Sequence, residues 1–261
     1  MAAFLYLFVI ALGLCLGSFA TALAWRLPRG VSMLSKTRSA CPACGKNLTW
    51  AELVPVLSWL RQRGACRSCG AKIGWIYPGI ELATLALCLG FYHVYGFALP
   101  TLALFALAPV LTAMIAIDLQ HKIIPDALNL AVFLCGIAAL CLANTTLLTG
   151  LTALGGAALY AGFAWMLRAI FTRLKRREPL GLGDVKFFGA AGVWLGPSLP
   201  VLAEFLMLSG GLGIVLALGW KKAKGEDDFP FGPALAIALV ILLLSGRALI
   251  SGLPLTFLSS T

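Results

Sequence analysis

The stretch Gly181–Phe188, with the sequence GLGDVKFF, places a carboxylate at the beginning of an apolar run. The chain around it is 61% hydrophobic, and a charge at the mouth of a membrane segment is unfavourable enough to indicate a functional site. Gly181 and Gly183 carry no Cβ, which lets the backbone turn tightly and lets another segment or a substrate come close. We therefore predict that Asp184 is one half of a catalytic pair and that Asp118 is the other half.

The composition restricts the class of protein. The 261-residue chain has a mean hydropathy of +0.96 and only 11% charged residues, which is typical of polytopic membrane proteins and not of soluble ones. The formal net charge of +10 is concentrated in a few loops, and such clustering indicates membrane topology rather than nucleic-acid binding. The sequence therefore predicts an all-α polytopic membrane protein.

Eight apolar runs are separated by polar segments, and a run of roughly 17–25 residues is long enough to span a bilayer. The sixth run, which begins at Asp184, is short for a span. The sequence thus predicts about eight transmembrane helices. Their approximate ranges are 3–24, 77–95, 98–117, 127–143, 150–171, 184–197, 199–220 and 231–253.

The basic residues predict the orientation of these helices. With the N-terminus outside, four loops fall on the cytoplasmic side and hold nearly every Lys and Arg. The first run has no positive charge before it and no small-residue cleavage site, so we interpret it as an uncleaved transmembrane helix. Asp118 and Asp184 then lie at the cytoplasmic ends of their helices, at similar depth. The four loops are residues 25–75, 118–126, 172–183 and 221–230.

Two C-x2-C pairs, Cys41/Cys44 and Cys66/Cys69, are separated by 21 residues, and a glycine follows the second cysteine of each pair. Four thiolates suit a tetrahedral structural zinc ion, with no open position for catalysis. Two disulfides are the alternative, which a reducing cytoplasm disfavours. The sequence predicts three domains. They are a first transmembrane helix at 1–25, a cytoplasmic zinc-binding loop domain at 26–76, and a seven-helix membrane domain at 77–261.

Asp118 ends the third apolar run, and no ordinary structural role accounts for it there. Two carboxylates that share a site cannot both ionise easily, so one can polarise a peptide carbonyl while the other takes a proton from water. From spacing alone, three alternatives to this aspartyl protease remain open. The aspartates could pair with Lys122 or Lys186, the chain could be an ion-coupled transporter, or it could be a membrane anchor for the zinc module.

A series of motifs, in order along nearly the whole chain, resembles the bacterial type IV prepilin peptidase family. The Gly-x-Gly-Asp signature is shared with other intramembrane aspartyl proteases, but its combination with the cysteine loop is specific to this family. The motifs are Gly17-Ser18-Phe19, Arg26-Leu27-Pro28, the two C-x2-C pairs around Pro55 and Trp59, Tyr77-Pro78 with Glu81, Asp118, Ile124-Pro125-Asp126, Gly181–Lys186 and Phe229–Pro233.

The resemblance implies cleavage of the basic leader of type IV prepilins or type II secretion pseudopilins at the cytoplasmic face of the bacterial inner membrane. Asp118 and Asp184 match the catalytic aspartates, and Gly181, Gly183 and Lys186 belong to the same motif. Members with the cysteine loop also methylate the new N-terminal residue with S-adenosylmethionine, so the loop domain is expected to be associated with methyl transfer. The implied partners are prepilins or pseudopilins and membrane lipids, with no nucleic acid.

The chain departs from the family at one position, because members usually carry an Asn where residues 20–23 read ATAL. No usual glycine-rich nucleotide fingerprint locates the methyl donor. Glu52 and Glu81 are candidates for contacts to the substrate amine, with a surface charge and a helix-start charge as their alternative roles. The acidic run Glu226–Asp228 is a hypothetical contact for the basic leader.

Overall fold

A computed structural model of the chain describes residues 2–33, 38–175, 180–226 and 228–249. Within these ranges the chain forms α-helices, two single 3-10 turns and no β-strand. This confirms the all-α class. The helices are α1 (Ala2–Arg26), α2 (Leu57–Arg61), α3 (Ile76–Tyr95), α4 (Leu99–His121), α5 (Asp126–Leu142), α6 (Leu147–Lys175), α7 (Leu182–Leu195), α8 (Leu199–Lys224) and α9 (Gly232–Leu244).

Each of the eight apolar runs corresponds to one helix of 13 residues or more, and α2 is an additional helix of 5 residues in the cysteine loop. Several helices continue beyond the apolar run because hydropathy marks the membrane-buried part, whereas the helix ends only at a structural break. The helix α8 continues past residue 220 to Gly225, whose φ of +71° ends it in the left-handed region that favours glycine. The expected end of the eighth helix, near residue 253, lies outside the described residues.

Within the part of the chain that the structure describes, four segments are long and apolar enough to cross a membrane. The short sixth helix is also observed, since α7 has 14 residues and is about 21 Å long at 1.5 Å per residue. It lies among other helices, and every residue from Phe187 to Leu195 is buried. The four long segments are Ala3–Arg29, Leu99–His121, Leu147–Leu174 and Leu199–Lys224.

The helix α4 is the centre of the bundle. In its most apolar stretch of 18 residues, 78% of the residues are buried, whereas the corresponding share is 22–28% in the other three long segments. It contacts α1, α3, α5 and α9. Small residues allow the other close contacts. A Cβ on Gly156 of α6 would lie 2.3 Å from the carbonyl oxygen of Gly192 on α7, so these two backbones touch.

The apolar segment between the two cysteine pairs is divided between two environments. We call residues 38–75, which hold both cysteine pairs, the cysteine module. Trp59 packs inside this module, where its Nε1 donates to the Ile73 carbonyl at 3.0 Å and its ring lies 4.1 Å from that of Trp75. Trp50, in contrast, is 82% exposed. The segment therefore supplies both the packing of the small module and an apolar surface at its edge.

A short loop joins the end of α4 to the beginning of α5, and α7 begins near the same point, where Gly183 contacts Ile124 of that loop. Contacts across this end are polar. Lys186 on α7 pairs with Asp126 on α5 at 2.7 Å, and Gly232 at the start of α9 bonds to Asp118 at the end of α4. We call this the Asp118 end of the bundle.

Candidate functional site

Asp118 lies in the last turn of α4 and is only 4% exposed. Its Oδ2 accepts a hydrogen bond from the backbone N–H of Gly232 at 2.7 Å. A Cβ at residue 232 would lie 2.8 Å from that same oxygen, so only glycine fits there without moving the carboxylate. The Phe229–Pro233 motif therefore positions Asp118, a role that the sequence did not reveal.

Asp184 lies in the first turn of α7, and its Oδ2 accepts from the backbone N–H of Gly181 at 2.9 Å. This bond satisfies one of the N–H groups that a helix start leaves without a partner. Gly181 thus fixes one oxygen of Asp184 and turns the chain into α7.

The fold brings Asp118 and Asp184 close enough for their charges to interact. Two acids from helices that are distant in sequence therefore share one site at the Asp118 end of the bundle. The structure does not show the lysine pairing that the sequence left open. Lys122 Nζ lies 2.8 Å from Glu226 Oε2 and 3.3 Å from Asp228 Oδ2, while Lys186 pairs with Asp126.

Gly183 packs α7 against the loop that joins α4 to α5. A Cβ at this residue would lie 3.1 Å from the Cβ of Ile124 and 3.2 Å from its carbonyl oxygen. Asn129 of α5 is 4% exposed, and its Nδ2 donates to the Gly183 carbonyl at 3.0 Å. Sequence reasoning missed Asn129, although an amide one turn inside an apolar helix is a signal that could have identified it.

The four cysteines of the two C-x2-C pairs come together, with their sulfur atoms within 4.8 Å of one another. The Sγ atoms of Cys41 and Cys69 are 3.9 Å apart, close to the separation of about 3.8 Å that a tetrahedral zinc ion with bonds of about 2.3 Å requires. Backbone N–H groups of Ser68 and Cys69 donate to the Cys66 sulfur and lower the pKa of its thiol, which favours the metal-binding thiolate. The cluster can hold a metal ion.

The two halves of the cluster have the same knuckle geometry. Gly45 N–H donates to the Cys41 carbonyl at 2.8 Å, and Gly70 N–H donates to the Cys66 carbonyl at 2.9 Å. Both glycines have positive φ values, +71° and +72°, in the region that other residues rarely adopt. The glycine after each cysteine pair therefore makes the tight turn of its knuckle.

A pocket of about 980 Å³ separates the cysteine module from the helix ends below it. It is lined by the end of α1, the beginning of α3 and the module, and both Glu52 and Glu81 face it. Glu52 Oε2 accepts from the backbone N–H and the Oγ1 of Thr49, and these bonds lower the pKa of its carboxyl. Glu81 Oε2 accepts from the N–H of Val56 at 2.7 Å.

The acidic run that was a hypothetical contact for a basic peptide is already engaged in part. Glu226 and Asp228 both pair with Lys122. Asp227 lies outside the described residues. Trp220 Nε1 also donates to Glu226 Oε2 at 3.3 Å, so this loop is anchored to α8 as well as to the end of α4.

Comparison with known proteins gives two family matches. Residues 11–95 match the Bacterial Peptidase A24 N-terminal domain, and residues 104–218 match the Type IV leader peptidase family. The second range contains both Asp118 and Asp184, and the first contains the four-cysteine cluster.

Several curated proteins are similar over most of the chain. A prepilin leader peptidase/N-methyltransferase of Burkholderia pseudomallei strain 1026b is 35% identical over 257 residues, covering 88% of this chain and 82% of the relative. Another from Aeromonas hydrophila is 36% identical, covering 81% and 73%. A type 4 prepilin-like proteins leader peptide-processing enzyme of Escherichia coli O78:H11 is 33% identical, covering 86% and 88%. No solved structure matches the chain. These relatives favour neither a transporter nor a membrane anchor.

Proposed function

Because the chain belongs to the Type IV leader peptidase family, we propose that it removes the leader of type IV prepilins or type II secretion pseudopilins by aspartyl proteolysis. Asp118 and Asp184 are the catalytic pair in this proposal. The observation that carries it is the convergence of these two acids at one end of the bundle, while both neighbouring lysines are paired with other residues.

The proposed reaction needs no covalent intermediate. One carboxyl group stays protonated because two adjacent negative charges repel each other, and it donates a hydrogen bond to the scissile carbonyl oxygen. The ionised partner takes a proton from the water molecule that attacks the carbonyl carbon. Gly181 and Gly232 each hold one carboxylate oxygen with a backbone N–H, so the second oxygen of each acid is available to the substrate and the water.

In this proposal the remaining residues of the signature are structural. Gly183 lets α7 approach Ile124, and Lys186 joins α7 to α5 through Asp126. Both contacts hold the start of α7 against the α4–α5 loop, and this fixes the position of Asp184 relative to Asp118. Asn129 supports the same junction through the Gly183 carbonyl.

The proposed orientation places the N-terminus outside and the Asp118 end at the cytoplasmic face of the inner membrane. The last turns of α1 and α8 support it. They carry Arg26 and the cluster Lys221, Lys222 and Lys224 at this end, and basic residues are enriched on the cytoplasmic side of membranes. The prepilin's apolar helix would remain in the bilayer with its leader at the reactive face.

The four cysteines are proposed to hold a structural zinc ion. Their sulfur separations suit tetrahedral coordination, and four thiolates leave no position for a substrate. The module around them is small and has few buried residues, so the metal would supply much of its folding free energy.

The second proposed activity is N-methylation of the new N-terminal residue. Relatives are named N-methyltransferases, and S-adenosylmethionine is the methyl donor in this proposal. A bound donor would supply an electrophilic methyl group on a sulfonium. The chain would have to bind the donor, hold the freed amine beside it and accept the amine proton.

The full chain in liposomes, with a prepilin-like peptide and mass detection of the products, tests both activities. We expect the leader to be removed with or without S-adenosylmethionine. When the donor is present, the product should be heavier by one methyl group. An intact peptide after prolonged incubation would contradict the peptidase proposal, and an unmodified product in the presence of the donor would contradict the methyltransferase proposal.

A further inference from the structure

The pocket beneath the cysteine module has the size of a small-molecule site. Its volume of about 980 Å³ is at the upper end of the range of about 300–1,000 Å³ for ligand pockets. It is therefore large enough for a nucleoside-sized donor and the first residue of a peptide together. Trp25 and Tyr77 line it with aromatic surface, while Ser18 and Gln62 add polar groups.

Glu81 lies where the three walls of this pocket meet. A Cβ on Gly17 of α1 would lie 2.7 Å from the Cα of Glu81, so the backbones of α1 and α3 touch at this residue. The third wall is the module, which contacts Glu81 through the Val56 N–H. Glu81 is thus held from two sides by backbone and lines the pocket.

The Val56 N–H that Glu81 contacts belongs to a residue with an unusual backbone conformation. Val56 has φ +59° and ψ −51°, and positive φ is rare for a β-branched residue. Such conformations persist where the surrounding structure enforces them, and they cluster at functional sites. Here the Leu57 N–H donates to the Pro55 carbonyl across Val56, and the Val56 N–H itself donates to Oε2 of Glu81, so the carboxylate contacts this tight turn directly.

The two carboxylates in the pocket differ in what they can do. Glu52 is bound by both the N–H and the hydroxyl of its near neighbour Thr49, an arrangement that caps a helical turn. Glu81 uses only Oε2, and its Oε1 accepts no hydrogen bond from any described residue. Glu81 therefore has an oxygen available for a substrate.

Other ionisable groups face the same space. Arg26 from α1 and Arg38 and Lys72 from the module carry positive charge, and Tyr77 precedes Glu81 on α3. Cys41 and Cys66 line the module side and belong to the metal cluster. The cations favour a carboxylate such as that of an amino-acid-bearing donor. Among the described residues that line the pocket, Glu81 and Glu52 are the acidic ones.

We infer that this pocket is the methyl-transfer site and that Glu81 is its proton acceptor, which rests on the methylation proposed above. The incoming α-ammonium group gives one proton to Glu81 Oε1. The neutral nitrogen then forms a bond to the donor's methyl carbon as the methyl–sulfur bond breaks and its electron pair stays on sulfur. The products are the N-methylammonium group, S-adenosylhomocysteine and protonated Glu81.

The pocket lies next to the peptidase helices. The beginning of α3, which carries Glu81, packs against the end of α4, which carries Asp118, and Thr84 and Thr112 join the two helices with a hydroxyl contact of 2.8 Å. Both sites therefore lie at the Asp118 end of the bundle, on adjacent helices. An amine that is freed at Asp118 and Asp184 needs to move only from α4 to α3, while the apolar helix of the prepilin stays in the membrane.

The test uses Glu81→Gln in the full chain, reconstituted with its metal. Glutamine keeps an oxygen that can accept from Val56, so it removes the proton acceptor and not the backbone contact. A synthetic peptide that begins at the new N-terminal residue separates methyl transfer from cleavage. The matched control is Glu204→Gln, because Glu204 pairs with Arg247 near the start of α8, at the opposite end of the bundle.

We expect methyl transfer by Glu81→Gln at pH 7 to fall about 100-fold, as is usual for loss of a general base. The deficit should shrink toward pH 9.5, since a free α-amine with a pKa of about 7.7–8.0 loses its proton to water there. Leader cleavage and the Kd for S-adenosylhomocysteine, measured by calorimetry, should match those of the wild type and of Glu204→Gln.

Three results would overturn the inference. If Glu81→Gln methylated the peptide at the wild-type rate at pH 7, Glu81 would not be the proton acceptor. If the variant no longer bound S-adenosylhomocysteine, Glu81 would be a residue that binds the donor. If Glu81→Gln also lost cleavage, Glu81→Asp would decide, because a retained carboxylate should restore transfer above the glutamine variant. If the wild type failed to methylate, the methyltransferase half of the proposed function would fall, and this inference with it.

Discussion

The backbone N–H of Gly232 donates to Oδ2 of Asp118 at 2.7 Å, across 114 residues of sequence. The bond joins the first residue of α9 to the last turn of α4 and fixes one oxygen of a buried carboxyl group. A backbone donor cannot swing away as a side chain can, so the position of Asp118 depends on where α9 begins.

This contact predicts the effect of Gly232→Ala. The added Cβ would lie 2.8 Å from Asp118 Oδ2 and would displace the carboxyl group. Because a misplacement of about 1 Å can lower a rate about 100-fold, we expect leader cleavage to fall by about that factor while the helices still form. Gly210→Ala on α8 is the matched control, since a Cβ there meets nothing within 4 Å. Equal cleavage rates for the two variants would contradict the positioning role.

Asn129→Ala should weaken the junction between α5 and α7. The variant loses the bond from Nδ2 to the Gly183 carbonyl, and a single hydrogen bond contributes about 1 kcal/mol to the free energy of unfolding. We expect a loss of that size in denaturant unfolding, together with slower cleavage because Asp184 follows Gly183. Asn144→Gly, in an exposed turn with φ +51°, should change neither quantity. Unchanged cleavage by Asn129→Ala would show that the bond does not position α7.

Metal removal should separate the two activities. The cysteine module forms one wall of the large pocket, whereas Asp118 and Asp184 are held by α4, α7 and α9. We therefore expect Cys44→Ser, or a chelator, to make the module sensitive to protease and to abolish methyl transfer while cleavage continues. Cys141→Ser, an exposed cysteine at the other end of the bundle, is the control. Loss of both activities together would mean that the metal is also needed to hold the catalytic pair, Asp118 and Asp184, in place.

The pair Lys122–Glu226 predicts a response to acid. The Lys122 ammonium, with Trp220 Nε1, lowers the pKa of the Glu226 carboxyl below its ordinary value of about 4.3. A lowered carboxyl pKa stabilises the folded loop at pH values above the ordinary value, and this contribution is lost as the pH falls through the lowered pKa. The fluorescence of Trp220, measured as the difference between the wild type and Trp220→Phe, should therefore change as the pH falls, and the midpoint of this change should lie below pH 4.3. Lys122→Met should raise the midpoint, and an unchanged midpoint would show that Lys122 does not set it.

The sequence predicts the eight helices of the bundle because an apolar run that enters a bilayer must satisfy its backbone hydrogen bonds internally, which a helix does. It also predicts the cysteine cluster, since two local turns with fixed spacing define its geometry. Both features depend on neighbours that are near in sequence or on the membrane itself.

The rest of the site depends on contacts between distant segments. Nothing near Gly232 in sequence shows that its N–H meets Asp118, and nothing near Glu81 shows that it meets Val56 and Gly17. The bond from Asn129 to the Gly183 carbonyl likewise depends on the packing of α7 against α5. These contacts follow from how the helices pack, which hydropathy and motif spacing do not determine.

The most direct measurement is leader cleavage by the full chain in liposomes, comparing the wild type with Asp118→Asn and Asp184→Asn. Asparagine keeps the shape and can still accept from Gly232 or Gly181, but it cannot exchange a proton with water. We predict that each variant remains folded and loses cleavage by a factor of about 10²–10⁴, the usual contribution of a general acid or base. Wild-type cleavage by either variant would show that Asp118 and Asp184 are not the catalytic pair.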